Sequence, residues 1–268
     1  MSGVFFNGIA QEPISFHGYT ARAPLFFRDM RMVAAVFTAD LGRVRALMPD
    51  ARYDPLAILP GRALLAIHAM QYRDTDVGPY DEVSVSVGVT MGRAARIGAF
   101  AAVAALRANN YHAHIVRLPV TTDAALHGGI DVFGYPKVMA RIDFATAAGR
   151  RRCVWREPAS GETILTLDVP ALPTRRVAQD RRDALAVMDL HSYPVKDGRT
   201  LHAHMRVNRI EFAERLLPGS VTVEPGSGDA AAWLRELGIG RCVHVLDAPR
   251  CEAILFRPEP YDAPGAPG

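Results

Sequence analysis

At positions 131–138 the chain reads DVFGYPKV, a lysine directly after a Gly-Tyr-Pro turn and bracketed by apolar side chains. The ordinary reading of Lys137 is a turn lysine that lays its methylene stem on the surface and holds its ammonium in water. The sharper reading is an amine withdrawn from water, the group that forms Schiff bases with carbonyl compounds. Attack on a carbonyl needs the neutral amine. A lysine with the ordinary pKa of about 10.4 is neutral about 0.04% of the time at pH 7, a handicap of about 4.6 kcal/mol. Its surroundings must therefore remove water or supply a neighbouring cation.

Other residue groups have the types and spacing for chemistry. His112-Ala-His114 and His202-Ala-His204 each put two imidazoles on one face of a strand, a metal-ligand geometry. No matching carboxylate accompanies either pair, so no metal is assigned. His68 lies inside an apolar strand, where a satisfied core histidine is the ordinary reading and a pocket-lining one the alternative. Cys153, Cys242 and Cys251 are an odd number without C-x-x-C spacing, which suggests neither a disulfide framework nor a thiolate metal site. Cys153 and Cys251 read as core residues rather than nucleophiles. The chain has no G-x-G-x-x-G after a strand, no phosphate-binding loop and no G-x-S-x-G elbow. Dinucleotide, nucleotide and hydrolase readings lose their support, and no cofactor is expected.

The elements that must position these residues are mostly strands. MRMVAAVFT (30–38), RALLAIHAMQY (62–72), EVSVSVGVTM (82–91) and YHAHIVRLPV (111–120) are β-branched or alternating runs bounded by Gly, Pro and Asp. EVSVSVGV alternates so cleanly that one face must be buried and the other solvated or lining a cavity. The runs 138–147, 151–157 and 162–170, separated by AGR and PASG, read as an antiparallel meander. Further strands are expected at 200–213, 219–225 and 241–258. One helix starts with Thr38 or Asp40 as N-cap and stops at Pro49; another starts with Ser227 or Asp229 and ends at Gly238. The alanine-rich stretch 97–110 favours helix, although its place between strand runs allows either kind of insertion.

With 268 residues, 49% hydrophobic and 22% charged, the chain can bury a full core. Residues 1–260 are expected to form a single mainly antiparallel β (α+β) domain with a few peripheral helices, and 261–268 a disordered tail. The net charge of +3 is diffuse apart from arginines at 150–152, 175, 176, 181 and 182, which argues against a nucleic-acid surface. No window approaches the roughly 20 apolar residues of a membrane span, so no membrane partner is expected and a cytoplasmic location fits. Antiparallel edges favour a homo-oligomer.

FGYPKV, with Asp131 six residues before the lysine and GPYDE some fifty upstream, resembles the acetoacetate decarboxylase family, whose Tyr/Phe-Pro-Lys-Lys segment holds a Schiff-base lysine. MRMVAAVFTADLGRVRALMPD resembles the family's strand, short helix and Pro stop, and LLAIHAMQYRDTDVGPYDEVSVSVGV its acidic strand-loop-strand unit. The resemblance runs from about residue 24 to 150 and more loosely beyond. It implies a β-barrel or cone, Lys137 as the Schiff-base lysine and Glu82 as one of two active-site glutamates. The other glutamate is replaced by Ala66, and the second lysine by Val138. A gapless match puts Met30 at the family's active-site arginine, with Arg31 next to it and Arg28 two before.

Without the second lysine, activation would rest on burial among Phe133, Tyr135, Val138 and Met139 or on a nearby arginine; desolvation and a cationic neighbour are the activation described for acetoacetate decarboxylase itself. The resemblance implies a lyase acting on a small oxo acid, by decarboxylation or by aldol condensation and dehydration. Glu82 would be the acid/base, Tyr80 or Tyr135 a hydrogen-bonding partner, Arg31 the carboxylate-binding cation and His68 a pocket residue. The alternative is a non-catalytic protein that binds a small oxo acid or ketone on the same fold.

Overall fold

The computed structural model describes residues 3–92 and 98–261. A hairpin of β1 (Glu12–Phe16) and β2 (Tyr19–Ala23) leads into three long strands, β3 (Leu25–Asp40), β4 (Arg62–Thr75) and β5 (Tyr80–Met91). Then follow β6 (Asn110–Val120), β7 (Lys137–Met139), β8 (Arg141–Ala147), β9 (Arg150–Arg156) and β10 (Thr163–Pro170). The last third holds β11 (Val187–Ser192), β12 (Arg199–Leu216), β13 (Thr222–Pro225) and β14 (Cys242–Leu255). The α-helices are short: α1 (Gly3–Phe6), α2 (Leu41–Arg45), α3 (Gly98–Ala108), α4 (Asp123–His127) and α5 (Ala232–Glu236). None is long and apolar enough to cross a membrane.

Seven strands close into a barrel in the order β5-β4-β3-β14-β12-β11-β6, with β6 pairing back onto β5. The mainly antiparallel β-barrel with peripheral helices is the fold expected. Its pairings are antiparallel except between β6 and β11, and β7 joins β6 in parallel from outside the ring. Closure leaves these strands two buried faces, one toward the barrel interior and one toward an outer layer. The outer layer is the antiparallel sheet β8-β9-β10-β13. Val83, Val85 and Val87 of β5 pack there with Trp155, Leu165 and Leu167 in one core cluster. The alternate residues of β5, Glu82, Ser84, Ser86 and Gly88, line a cavity inside the barrel. The clean alternation of EVSVSVGV is thus a core face and a cavity face.

The expected strand 138–147 is two strands in two sheets. Lys137–Met139 pairs with Leu118–Val120, whereas Arg141–Ala147 begins the outer meander. Between them buried Ala140 donates its N–H to Val120 O at 2.8 Å. The β1–β2 hairpin was not anticipated; His17 and Gly18 both have positive φ (44° and 82°), the two-residue turn that matches strand twist. Within the stretch 97–110, helix α3 forms from Gly98 to Ala108, and Asn109, with φ 49°, turns the chain into β6. Asp40 caps α2, accepting from the Arg43 N–H at 2.9 Å. The later helix begins as a 3-10 turn at Asp229–Ala231 capped by Gly228, not by Ser227 or Asp229, because no side chain accepts from its first N–H groups. Gly238 ends it with φ 56°. Of the tail expected at 261–268, all but Tyr261 lies outside the described residues.

Barrel and outer sheet are tied by a charge pair. The Nε of Arg151 on β9 donates at 2.7 Å to Asp247 Oδ2 on β14, which also accepts from the Leu172 N–H at 3.2 Å. Asp247 is wholly buried, and burial pushes its carboxyl above the ordinary range while Arg151 opposes the shift. Arg151→Met leaves that carboxylate without its cation and is expected to lower unfolding stability by about 3 kcal/mol. Urea titration of the two proteins checks this; equal midpoints and slopes would mean the pair contributes nothing.

Candidate active site

The cavity holds about 370 Å³ and its lining is mostly apolar. At one end stands the amine. Lys137 Nζ lies 2.8 Å from Glu82 Oε2, and the two side chains are 6% and 7% exposed. The pair exists because of how the chain returns from β6. After Val120, α4 runs into a π-turn over Gly128–Val132. There the Tyr135 N–H donates to Gly129 O at 3.0 Å, the Gly134 N–H to Ile130 O at 3.1 Å and the Lys137 N–H to Tyr135 O at 2.8 Å. π-turns are rare and collect at functional sites. This one brings Lys137 into register beside Leu118, so that its side chain enters the barrel. Gly129 lies directly against it: a methyl group there would collide with Cδ and Cε of Lys137. Pro136, just before the lysine, accepts the Leu118 N–H at 3.2 Å.

Tyrosines surround the pair. The Tyr72 hydroxyl donates to Glu82 Oε1 at 3.1 Å, so each carboxylate oxygen has one donor. The Tyr80 ring stacks obliquely on Tyr72 with centroids 4.6 Å apart and presents its face to Lys137 Nζ at 5.3 Å. Burial first, and the Glu82 charge second, push both phenols well above their ordinary pKa, so they remain protonated donors. Tyr135 lines the cavity, but its hydroxyl pairs with Ser192 Oγ at 3.0 Å. Tyr72 was missed in the sequence, although the period-two series Ala66, His68, Met70, Tyr72 puts it on the cavity face of β4.

The structure brings Lys137, Glu82, Tyr80, Tyr135 and His68 to one cavity and leaves Arg31 out of it. Ala34 and Val36 of β3 face the interior, so Arg31 projects outward, its Nη2 3.4 Å from Thr146 Oγ1. Arg28 is also outside, paired with Asp76 at 2.6 Å. Met30 is wholly buried. Phe133 and Tyr135 contribute to enclosing the amine, but Val138 is 39% exposed and, with Met139, does not line the cavity. A strand residue beside Lys137 faces the other way. Among the described residues, the arginine that does line the cavity is Arg209, which is committed to Glu214 at 3.8 Å, Asn109 Oδ1 at 3.0 Å and Ala186 O at 3.2 Å.

The histidine pairs form something other than a metal cluster. His112, His191 and His204 pair across β6, β11 and β12, their rings stacked at 4.6 Å in each step. His202 Nε2 meets His191 Nδ1 at 2.9 Å, and His204 Nε2 meets Asp189 Oδ1 at 2.6 Å. Among the described residues the ligand atoms close enough together to hold an ion are those of His17, His127 and Asp131, on the surface. All three cysteines are buried, and burial raises each thiol, Cys242 to about 11 and Cys251 to about 12. They are poor nucleophiles.

The chain matches the family model described as acetoacetate decarboxylase over residues 12–246. No curated protein matches it significantly in sequence. Among solved structures it is similar to the acetoacetate decarboxylase of Legionella pneumophila, with a TM-score of 0.62, 13% identity and coverage of 90% of this chain and 88% of that one. It is also similar to an acetoacetate decarboxylase-like enzyme from Sphingomonas wittichii RW1, with a TM-score of 0.56, 15% identity and coverage of 89% and 92%. A third is the enduracididine biosynthesis enzyme MppR complexed with pyruvate, with a TM-score of 0.55, 14% identity and coverage of 94% and 91%. MppR has also been solved with the condensation product of pyruvate and imidazole 4-carboxaldehyde, at a TM-score of 0.58 and 13% identity, covering 94% and 90%. At these identities the likeness is one of fold.

His68 lines the cavity without a hydrogen-bond partner among the described residues, and burial, aided by nearby His244, lowers its pKa from 6.5 to about 4. The unfolded chain then binds the proton more readily than the folded one between those values, so stability falls as the pH drops from about 6.5 to about 4. The urea midpoint should decline across that window, and His68→Gln should decline less, the rest belonging to His191, which is also lowered to about 4, and to His112, His114 and His202, which burial lowers as well. Identical pH dependence in the two proteins would remove His68 from the account.

Proposed function

The chain belongs to the acetoacetate decarboxylase family, and on that premise we propose that it is a lyase in which Lys137 forms a Schiff base with the carbonyl of an oxo acid. The observation that carries this reading is the Lys137–Glu82 contact of 2.8 Å between two nearly buried side chains at the end of a cavity. Little water reaches either charge. Oε2, 2.8 Å from Nζ, is placed to take the proton that the amine must lose before it attacks. The amine then has its lone pair free, and the acid it created lies within hydrogen-bond reach of the entering carbonyl oxygen.

The steps balance. The nitrogen lone pair attacks the carbonyl carbon, and the amine proton passes to the oxygen to give a carbinolamine. Glu82 returns its proton to that hydroxyl, which leaves as water, and a cationic iminium remains opposite the regenerated carboxylate. With a 3-oxo acid, the electron pair of the bond to the carboxylate moves toward the iminium nitrogen, carbon dioxide leaves and an enamine forms. A proton drawn from water through Glu82 goes to the enamine carbon, and hydrolysis frees the ketone. With a 2-oxo acid such as pyruvate, Glu82 would instead take the α-proton, and the enamine would attack a second carbonyl. That branch is supported by the condensation product bound in MppR. Tyr72 holds Glu82 in place, and the Tyr80 face stabilises the nitrogen cation before and after condensation.

The chain has two lysines, Lys137 and Lys196, which makes trapping unambiguous. Borohydride reduction with acetoacetate, pyruvate or acetopyruvate is expected to leave an adduct on Lys137 and none on Lys196, read by peptide mass spectrometry. No adduct with any of them would sink the proposal. Release of carbon dioxide divides decarboxylation from condensation. Lys137→Ala should abolish turnover, and Glu82→Gln should lower it by about a hundredfold or more. Gly129→Ala, whose methyl displaces the lysine stem, should keep the fold but reduce adduct yield.

A further inference from the structure

The cavity is larger than a small oxo acid needs. At roughly 30 Å³ for a water-sized group, 370 Å³ accommodates about a dozen heavy atoms, and pyruvate or acetoacetate would occupy about half of it. The buried charge pair and its phenols stand at the Lys137 end, and along β4 and β5 from there to Gly88 the polar side chains on the lining are those of His68, Ser84 and Ser86. The cavity follows the inner face of β5 from Glu82 to Gly88, about 20 Å at the usual strand rise, toward α3. Its walls there are Val36, Leu56, Ile58, Leu64 and Ala66. Both cations in the described lining face carboxylates, Lys137 with Glu82 and Arg209 with Glu214, so a second anionic group would find no free partner. Space of this kind holds water poorly and takes apolar groups.

We propose that the substrate is a carbonyl compound with an apolar chain of about six to eight carbons, its carbonyl at Lys137 and its chain along β5 past Ala66 toward Gly88. The carbonyl half of this statement rests on the Schiff-base reading; the chain half rests on the cavity walls alone. Ala66 pairs with Val36 and Ser86 across the barrel wall, four residues along β4 from Met70, the partner of Glu82. A larger side chain at 66 would therefore block the chain's path at a distance from the amine.

The two halves are tested separately. Borohydride trapping on Lys137 compares 2-butanone with 2-nonanone, and calorimetry compares 2-butanol with 2-nonanol, which cannot form an imine. Each buried methylene multiplies affinity about fourfold, so the nine-carbon compounds should half-saturate at concentrations at least about a hundredfold lower than the four-carbon ones. Ala66→Phe should cut that ratio by at least about tenfold. Equal trapping of the two ketones and equal binding of the two alcohols would overturn the chain site while leaving the Schiff base standing. Preferential 2-nonanol binding with no ketone adduct would overturn the Schiff base and uphold the chain site. Neither adduct nor alcohol binding would overturn both.

Discussion

A lysine and a glutamate are held against each other out of water, and most of the barrel's unusual features serve to keep them there. Two charges removed from solvent gain from their attraction only when geometry is close and remaining lone pairs are met. Here both carboxylate oxygens have donors, Lys137 on one and Tyr72 on the other. The pairing requires Lys137 to arrive parallel to β6, and only a crossover through α4 and the π-turn can deliver a parallel strand there. It requires a glycine at 129, where the lysine stem passes. It also requires that residue 138 face outward, since neighbours on a strand alternate.

The same constraint changes how the departures from the family pattern are understood. By the resemblance, Val138 stands at a cation's position but lies outside the cavity, Ala66 stands at a glutamate's position on the lining, and Met30, the gapless match to the arginine, is wholly buried. What remains is a mostly apolar lining in which Lys137 and Glu82 form a buried charge pair bordered by phenols. On the Schiff-base proposal, activation of Lys137 would rest on desolvation more than on a neighbouring positive charge. Arg209, buried at the cavity wall, is spent on Glu214 and on carbonyl oxygens and acts as structure.

Much of this was legible in the sequence, for identifiable reasons. The alternation of EVSVSVGV placed Glu82 on a face of its own, and the Gly-Tyr-Pro turn marked Lys137 as displayed rather than incidental. Arg31 misled because MRMVAAVF is apolar on both faces; a strand buried on two sides has no polar face to reveal which residues point inward. Tyr72 was overlooked at the end of its strand, where alternation has few neighbours to confirm it. The break at Ala140 was invisible because its two halves are both good strand sequence, and what separates them is a pairing with Val120 twenty residues earlier. Nor could the cavity's volume be read, since its walls come from strands spread along most of the chain.

The most direct measurement is a crystal structure of the protein after borohydride reduction in the presence of pyruvate. The account predicts electron density continuous from Lys137 Nζ into the barrel, with Glu82 still within hydrogen-bonding distance of the secondary amine. An unmodified Lys137 still paired with Glu82, and pyruvate absent from the cavity or bound elsewhere, would contradict it.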